Sequence, residues 1–261
     1  MDSAPDVAPG VPESTGTLEL VGRLTTASNA TFLAMLGETE VVYKPIAGER
    51  PLWDFPDGQL AHREVASYLV SQVLGWSVVP ETWLGEGPHG PGMIQRWIHA
   101  DETVEPVTIV PEGEVPSGFL KVFDGFDEHD RVVTLVHEDT QVLRRMAVFD
   151  AITNNADRKG GHILPLADGR RYGCDHGLTF HDEPKLRTIL WGWRGLSFSE
   201  EELSGVRAVL AGLSGSLGRE LAAYLTGREV EALGLRCERL LAEGVFPRPE
   251  HDRHVIPWPP F

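Results

Sequence analysis

The spacing of apolar residues predicts a strand-rich first part of the chain. Apolar runs over residues 18–24, 31–36 and 41–45 are separated by short turns, a pattern typical of an antiparallel meander. Two further strands are predicted over residues 78–84 and 92–98, and they are joined by a glycine-containing turn. The pattern therefore predicts one sheet of five strands.

A helix is predicted between the third and fourth of these strands. Over residues 58–75 apolar side chains recur at steps of three and four, which places them on one helical face: Ala61, Val65, Tyr68, Leu69 and Val73. Gly75 would end this helix, because glycine readily adopts the left-handed backbone of a helix C-terminus. The first part is therefore a sheet with one inserted helix.

The second part of the chain carries mainly helical patterns. From about residue 137, apolar residues at steps of four and three predict a helix that runs to about Thr153. A short strand is predicted over residues 162–166. Ser199 is a suitable N-cap for the first of three later helices, predicted over residues 200–213, 217–226 and 228–243.

Three stretches of the chain show neither a strand pattern nor a helix pattern. Residues 1–16 are rich in Pro, Ser, Gly and acids, which is typical of a disordered tail. Residues 99–130 hold nine acids, one lysine and three interrupting prolines, so we expect an exposed, irregular insertion. The end of the chain has five prolines and is expected to lie as an ordered strap. The expected division is a tail (1–16), a small lobe (17–98), an acidic connecting insertion (99–130), a large lobe (131–245) and a proline-rich strap (246–261).

Composition excludes several classes of protein. The chain has 261 residues, enough for one large domain or two lobes, and 41% of them are hydrophobic. Its net charge of −16 argues against a nucleic-acid partner, because such proteins need a basic face. Two cysteines without paired spacing argue against a disulfide framework or a zinc site. The sequence shows neither a secretory signal nor an apolar run that spans a bilayer, so a cytoplasmic location is expected.

Lys44 is the first residue of chemical interest. It follows three apolar residues at the end of the third predicted strand. A lysine there either lies at a sheet edge or grips nucleotide phosphates, as the strand lysine of kinases does. The second interpretation requires a carboxylate on the following helix, and Glu64 is the candidate. A solvated surface glutamate is the alternative.

Two further acids, Asp157 and Asp175, lie in turns on either side of the short strand predicted over residues 162–166. Asp157 precedes His162 by five positions, the step between the catalytic aspartate and the metal-binding asparagine of kinases. Asp175 begins an Asp-His-Gly sequence where a kinase has its metal-binding Asp-Phe-Gly. Each of these two short motifs, taken alone, is more often an ordinary turn. The hypothesis of a kinase-like site therefore rests on the presence of all the motifs, including Lys44 and Glu64, as an ordered set.

That ordered set resembles the phosphatidylinositol 3-/4-kinase-like branch of the protein-kinase superfamily, in particular its small actinobacterial type. The segments that carry the resemblance are Val-Tyr-Lys-Pro (42–45), His-Arg-Glu (62–64), Asn-Ala-Asp-Arg-Lys-Gly-Gly-His (155–162) and Cys-Asp-His-Gly-Leu (174–178). The resemblance extends from about Leu18 to about Leu241. It implies an α+β, two-lobed, protein-kinase-like fold with an antiparallel-sheet small lobe and a mainly helical large lobe.

The resemblance also implies ATP-dependent transfer of a phosphoryl group with a magnesium ion. The resemblance implies that ATP is bound by Lys44, Glu64, Gln95, Arg96, Trp97 and Ile98. It implies catalytic roles for Asp157, Arg158 and Lys159. It implies that Asp175 and His162 bind Mg²⁺ or Mn²⁺.

Two departures from the family pattern leave a second interpretation open. His162 stands where an asparagine normally binds the second metal, although Mg²⁺ prefers oxygen ligands. The glycine-rich phosphate loop is also absent, and only Ser-Asn-Ala (28–30) occupies the matching turn. The alternative is a nucleotide-binding pseudokinase that acts as a regulatory module.

The acceptor of the phosphoryl group stays open between a lipid, a protein and a small molecule with a hydroxyl group. Transfer of AMP instead of phosphate is a further alternative. Residues 181–196 combine basic side chains with Trp191 and Trp193, which suits an anionic substrate or transient contact with a membrane surface. Packing of both tryptophans on the large lobe is the simpler interpretation of the same residues.

Overall fold

The computed structural model describes residues 16–24, 29–50, 52, 55, 59–249 and 255–261. Within these residues the fold is α+β, with antiparallel sheets and five α-helices, as the sequence pattern predicts. The predicted disordered tail lies outside the described residues except for Gly16, and so does Ser28 of the predicted phosphate turn.

The first part of the chain forms an antiparallel sheet of five strands in the order β1-β2-β3-β5-β4. The strands are β1 Leu18–Arg23, β2 Phe32–Leu36, β3 Thr39–Pro45, β4 Thr82–Gly87 and β5 Gly90–Arg96. One face of this sheet carries a small apolar cluster that includes Leu18, Ala34, Val41, Tyr43 and Ile94. Lys44 alternates with Tyr43 along β3, and therefore lies on the opposite face of the sheet.

Helix α1, Leu60–Leu74, joins the sheet to the helical part of the chain. Its first two N–H groups, of Leu60 and Ala61, donate to the carboxylate of Glu49 at 2.9 and 2.8 Å. The helix ends at Gly75, whose φ of 67° only glycine adopts easily. Its buried face contributes Ala66, Val70 and Leu74 to the main core: α1 is thus packed against the helices that follow as well as against the sheet.

The prediction that residues 99–130 are irregular is wrong. This stretch contains β6, Val107–Pro111, and β7, Phe119–Phe126, which pair with β8, Val132–Glu138, in a second antiparallel sheet of order β6-β8-β7. Only one of the nine acids, Asp124, lies in a strand, where its side chain is partly exposed, and the other eight lie in the loops and turns outside the strands. Val122 and Leu135 reach the main core. The helix expected from about residue 137 accordingly begins later.

The remaining elements build the mainly helical part. They are α2 Gln141–Thr153, β9 Ile163–Pro165, β10 Arg171–Gly173, α3 Glu200–Leu213, α4 Ser216–Leu221 and α5 Gly227–Glu243. Thr140 caps α2, and Ser199 and Thr226 form capping boxes with the glutamates three residues later. None of the helices in the described part has the length and apolar character that crossing a bilayer requires.

Residues 255–261 run along the helical part. The carbonyl of Val255 accepts hydrogen bonds from the Thr188 N–H at 3.1 Å and from the indole of Trp191 at 2.9 Å. The Gly160 N–H donates to the Pro260 carbonyl at 2.8 Å, and a Cβ on Gly160 would lie 2.7 Å from the ring of Phe261. The end of the chain therefore lies against the loop that follows α2.

Candidate active site

Lys44 and Glu64 form an ion pair between β3 and α1. The Lys44 Nζ lies 2.7 Å from Glu64 Oε1, and the Glu64 carboxylate is almost fully buried. A buried carboxylate is costly unless it is paired. Glu64 lies on the buried side of α1, and Lys44 lies on the sheet face opposite the small apolar cluster. The alternative of a solvated surface glutamate does not apply.

Asp175 meets the same lysine from the other part of the chain. Its Oδ1 lies 2.9 Å from the Lys44 Nζ. The backbone of Asp175 has a φ of 58°, a left-handed conformation that a residue other than glycine adopts at a cost. The charge of Lys44 holds the pKa of the Asp175 carboxyl well below its usual range. Burial acts to lower the pKa of Lys44, but Asp175 and Glu64 together raise it above its ordinary value.

Glu64 also fixes the turn that contains Asp175. Its second oxygen, Oε2, accepts a hydrogen bond from the His176 backbone N–H at 2.8 Å. One carboxylate therefore joins β3, α1 and the Asp-His-Gly turn at a single point. This arrangement presents the lysine and Asp175 to the same volume, with the Asp175 side chain about half exposed.

The loop after α2 brings Asp157, Lys159 and His162 to this place. His162 Nε2 lies 3.6 Å from Asp175 Oδ2, and Lys159 Nζ lies 3.3 Å from Asp157 Oδ2. Burial raises the pKa of the Asp157 carboxyl, whereas the charges of Lys159 and His162 lower it. The effect of burial is the larger one, so the pKa lies above the ordinary value of an aspartate. A raised pKa makes this carboxylate a stronger base than an exposed aspartate.

The imidazole of His162 is oriented as a metal ligand would be. Its Nδ1 lies 2.8 Å from the carbonyl oxygen of Asp157, and a carbonyl only accepts, so Nδ1 carries the proton. Burial lowers the pKa of His162, which favours the neutral ring with a lone pair on Nε2. That lone pair is on the side of Asp175.

The two predicted metal ligands fit a magnesium ion only in part. Asp175 provides the oxygen that Mg²⁺ prefers, whereas a nitrogen ligand suits Mn²⁺ better. In the part of the chain that the structure describes, no group of three or more His, Cys, Asp or Glu side chains is placed to hold a metal. Magnesium at kinase sites takes most ligands from phosphates and water, so one or two protein ligands suffice.

Arg158, which the resemblance implies for catalysis, does not face this site. Its guanidinium is fully buried and pairs with Asp150 at 2.9 Å. Further hydrogen bonds go to the His176 ring at 2.8 Å and to the carbonyls of His162 and Cys174 at 3.3 and 3.4 Å. Arg158 is therefore a positioning residue that ties the Asp157 loop to the Asp175 turn.

Sequence reasoning missed the residues that hold the loop. Asp150 accepts from Arg158, from the Asn155 amide at 2.9 Å and from the Thr188 hydroxyl at 3.1 Å. Asn155 in turn accepts the Asp157 backbone N–H at 3.0 Å. A buried aspartate in the last turn of an apolar helix is a signal that was present in the sequence, because such an acid requires a partner.

The residues predicted to line an adenine site are only partly brought together. Gln95 lies on the same sheet face as Lys44, since it pairs with Val42, but its amide donates to the Thr82 hydroxyl at 2.8 Å. Arg96 is exposed on the other face and pairs with Glu81 at 2.8 Å. Trp97 and Ile98 follow β5 and are half-buried. Arg96 is therefore not placed to contact a nucleotide beside Lys44.

Trp191 and Trp193 belong to the main core. Their side chains are 5% and 1% exposed, and the Trp193 indole donates to Asp139 at 2.8 Å. The two rings are therefore not available to a membrane surface, and the simpler interpretation of this segment holds.

Comparison with known proteins identifies one relative by sequence. Protein Rv2133c of Mycobacterium tuberculosis is 46% identical over 259 residues, which cover 94% of this chain and 93% of the relative. No protein-family model matches the chain. Among solved structures, the proinflammatory kinase CtkA of Helicobacter pylori aligns with a TM-score of 0.48 and 12% identity, over 91% of this chain and 96% of that chain.

Proposed function

Since the chain belongs to the family of the mycobacterial protein Rv2133c, whose name states no activity, we propose a function from its own site: an ATP-dependent phosphotransferase, a kinase, that acts on a hydroxyl group. The single observation that carries the proposal is the contact of Lys44 with both Glu64 and Asp175. It joins a strand lysine, a helix glutamate and an Asp-x-Gly aspartate in one place.

The arrangement provides what phosphoryl transfer needs, which is positioning and neutralisation of oxygen charge. Lys44 would bind the α- and β-phosphates of ATP, with Glu64 holding the ammonium in place. Asp175, with His162 beside it, would hold the metal ion. That ion, when bound, neutralises charge on the phosphate oxygens.

Asp157 would orient the acceptor hydroxyl and take its proton. The acceptor oxygen then forms a bond to the γ-phosphorus while the bond from phosphorus to the β–γ bridging oxygen breaks, and ADP leaves. Lys159, whose Nζ lies 3.3 Å from Asp157 Oδ2, would contact the transferring phosphate from the same loop. The raised pKa of Asp157 suits a base.

The second candidate is a nucleotide-binding module with little or no transfer activity. His162 motivates it, because a nitrogen ligand in the place of an amide oxygen weakens a magnesium site. A nucleotide bound in the reverse direction, with transfer of AMP, is a third outcome that the same site permits.

The test is incubation of the purified protein with ATP labelled at either the γ- or the α-phosphate, in Mg²⁺ or Mn²⁺, with Asp175→Ala as the site variant. Asp168→Ala is the matched control, because Asp168 lies on a surface turn and pairs with Arg170. We expect γ-label to reach the protein, water or an added alcohol, and Asp175→Ala to abolish the transfer while Asp168→Ala does not.

Transfer of the α-label instead would replace the proposal by AMP transfer. Binding of nucleotide without movement of either label, under both metals, would contradict the kinase proposal and favour the regulatory module.

A further inference from the structure

A second cavity lies away from the Lys44 site, between α5, the end of α2 and residues 182–187. Its volume is about 960 Å³, within the range of small-molecule sites. None of the residues that form the candidate active site lines this cavity. We propose that it binds a small soluble anion that carries an apolar group, such as an alkyl phosphate or carboxylate.

Arg236 is the central residue of this cavity. Its Nε donates to the Ile152 carbonyl at 2.9 Å and its Nη1 to the His181 carbonyl at 3.1 Å. The third nitrogen, Nη2, is buried and has no hydrogen-bond partner in the described part of the chain. Burial lowers the pKa of Arg236 to about 10, so the group remains a cation at neutral pH. Nη2 has almost no accessible surface, so Arg236 favours an anionic ligand in the adjoining cavity through its charge and not through a direct hydrogen bond from this atom.

Other basic groups surround the same space. Arg187 and Arg248 line the cavity, and neither forms an ion pair with a described residue. Arg239, one turn after Arg236 on α5, also lines it and pairs with Glu243 at 2.8 Å. Three acids, Asp182, Glu183 and Glu243, also line the cavity, so its five basic side chains exceed the acidic ones by two in a chain whose net charge is −16.

The cavity also has an apolar side. Leu235 and Leu240 lie on the arginine-bearing face of α5, and the side chain of Leu235 is 59% exposed. Trp191 and Leu186 contribute from the opposite wall. A bare inorganic ion would leave the exposed side chain of Leu235 in contact with water, whereas an alkyl group would cover it. The apolar side is the reason to expect an amphiphilic ligand.

The wall formed by residues 182–187 is bonded directly to the loop of the candidate active site. The Asn154 amide donates to the carbonyls of His181 and Glu183 at 2.9 and 2.7 Å and accepts the Lys185 N–H at 2.8 Å. The backbone N–H of Arg187 donates to the Asn155 carbonyl at 2.9 Å. The Arg187 carbonyl accepts a hydrogen bond from the backbone N–H of Arg158 at 3.1 Å. A ligand held by Arg187 would therefore stabilise this segment and the loop behind it.

The probe for the test is hexyl phosphate, titrated into the full chain by calorimetry, with hexanol and inorganic phosphate as the uncharged and the non-apolar comparisons. We expect one site for hexyl phosphate and binding at least tenfold weaker for both comparisons. Arg187→Met and Arg236→Met, which each remove a positive charge, should each weaken the binding of hexyl phosphate about tenfold or more. Arg207→Met, which removes an exposed arginine of α3 paired with Glu200, should not.

Arg187→Met keeps the test valid if Arg236→Met unfolds, because the bonds of Arg187 to the loop are made by its backbone. Amide hydrogen exchange locates the ligand: protection of residues 181–188 on binding is expected. Absence of hexyl phosphate binding, equal binding by all variants, or equal binding of hexanol would overturn the proposal. Binding only to anionic phosphatidylserine vesicles, lost in Arg187→Met, would overturn the soluble ligand in favour of a lipid surface.

Discussion

Lys44 and Asp175 are 131 positions apart in the sequence, and their charged groups lie 2.9 Å apart in the structure. The contact crosses from the five-stranded sheet to the turn after β10. Because Glu64 pairs with the same lysine and bonds to the next residue of that turn, the three elements are fixed relative to one another. The proposed nucleotide site depends on this contact.

Removing the lysine charge should weaken nucleotide binding. Lys44→Met keeps the length of the side chain but removes the cation, so we expect the affinity for ATP with Mg²⁺ to fall at least tenfold, about 1.4 kcal/mol. Calorimetric titration measures it. Lys121→Met is the control, because Lys121 forms an exposed pair with Asp124 on the second sheet. Unchanged affinity in Lys44→Met would show that the nucleotide site is elsewhere.

Replacing His162 by asparagine should change the metal preference. Asn provides the amide oxygen that Mg²⁺ prefers, so the ratio of the transfer rate in Mg²⁺ to that in Mn²⁺ should rise in His162→Asn. His162→Ala should lower the rate with both ions. His129→Asn, at an exposed position, is the control. An identical metal ratio in wild type and His162→Asn would indicate that His162 does not contact the ion.

Arg158 is predicted to act through stability and not through contact with phosphate. Arg158→Met leaves the fully buried Asp150 without its partner, which should lower the free energy of unfolding by about 3–5 kcal/mol. Chemical denaturation measures this change. Asp150→Asn in the same background should recover part of the loss, because it removes the unpaired charge. A small change in stability with complete loss of transfer would instead support direct contact with the phosphate.

His137 should make stability depend on pH in the acid range. Its ring is fully buried, accepts the Gly192 N–H at 3.0 Å, and burial lowers its pKa to about 4. Between pH 6.5 and pH 4 the unfolded chain therefore binds a proton that the folded chain does not, and stability falls as the pH falls. From pH 7 to pH 5 this contribution is about 2 kcal/mol.

His137→Gln is the variant that tests this, with denaturation at both pH values as the measurement. Its loss of stability between pH 7 and pH 5 should be smaller than that of the wild type, even if it is less stable at both. An equal loss in the two proteins would show that His137 is not the group responsible.

Much of the fold was predictable from the sequence, because apolar periodicity reports burial directly. The strands around Lys44 and the helix that bears Glu64 were found within a few residues. The second sheet was not predictable, because the acids in the loops and turns beside its strands give residues 99–130 the composition of an irregular segment. The helix expected from about residue 137 begins at Gln141, because β8 continues to Glu138 and Thr140 caps the helix.

The residues of the candidate site were predictable only where they belong to a recognisable sequence motif. The meeting of Lys44, Glu64 and Asp175 followed from the ordered motifs. The inward direction of Arg158 did not, since it depends on Asp150 and on the carbonyls of two separate loops. Arg236 and its cavity carry no sequence motif, because residues from α2, α5 and the segment after Asp175 meet only in the folded chain.

The most direct test of the proposed chemistry is the rate of γ-phosphoryl transfer by Asp157→Asn, measured together with its affinity for ATP and Mg²⁺. Asn has nearly the same shape as Asp but cannot accept the hydroxyl proton as a carboxylate does. We predict nearly unchanged nucleotide affinity and a transfer rate lower by about 100-fold or more. Transfer at the wild-type rate would contradict the account, because it would show that Asp157 is not the base.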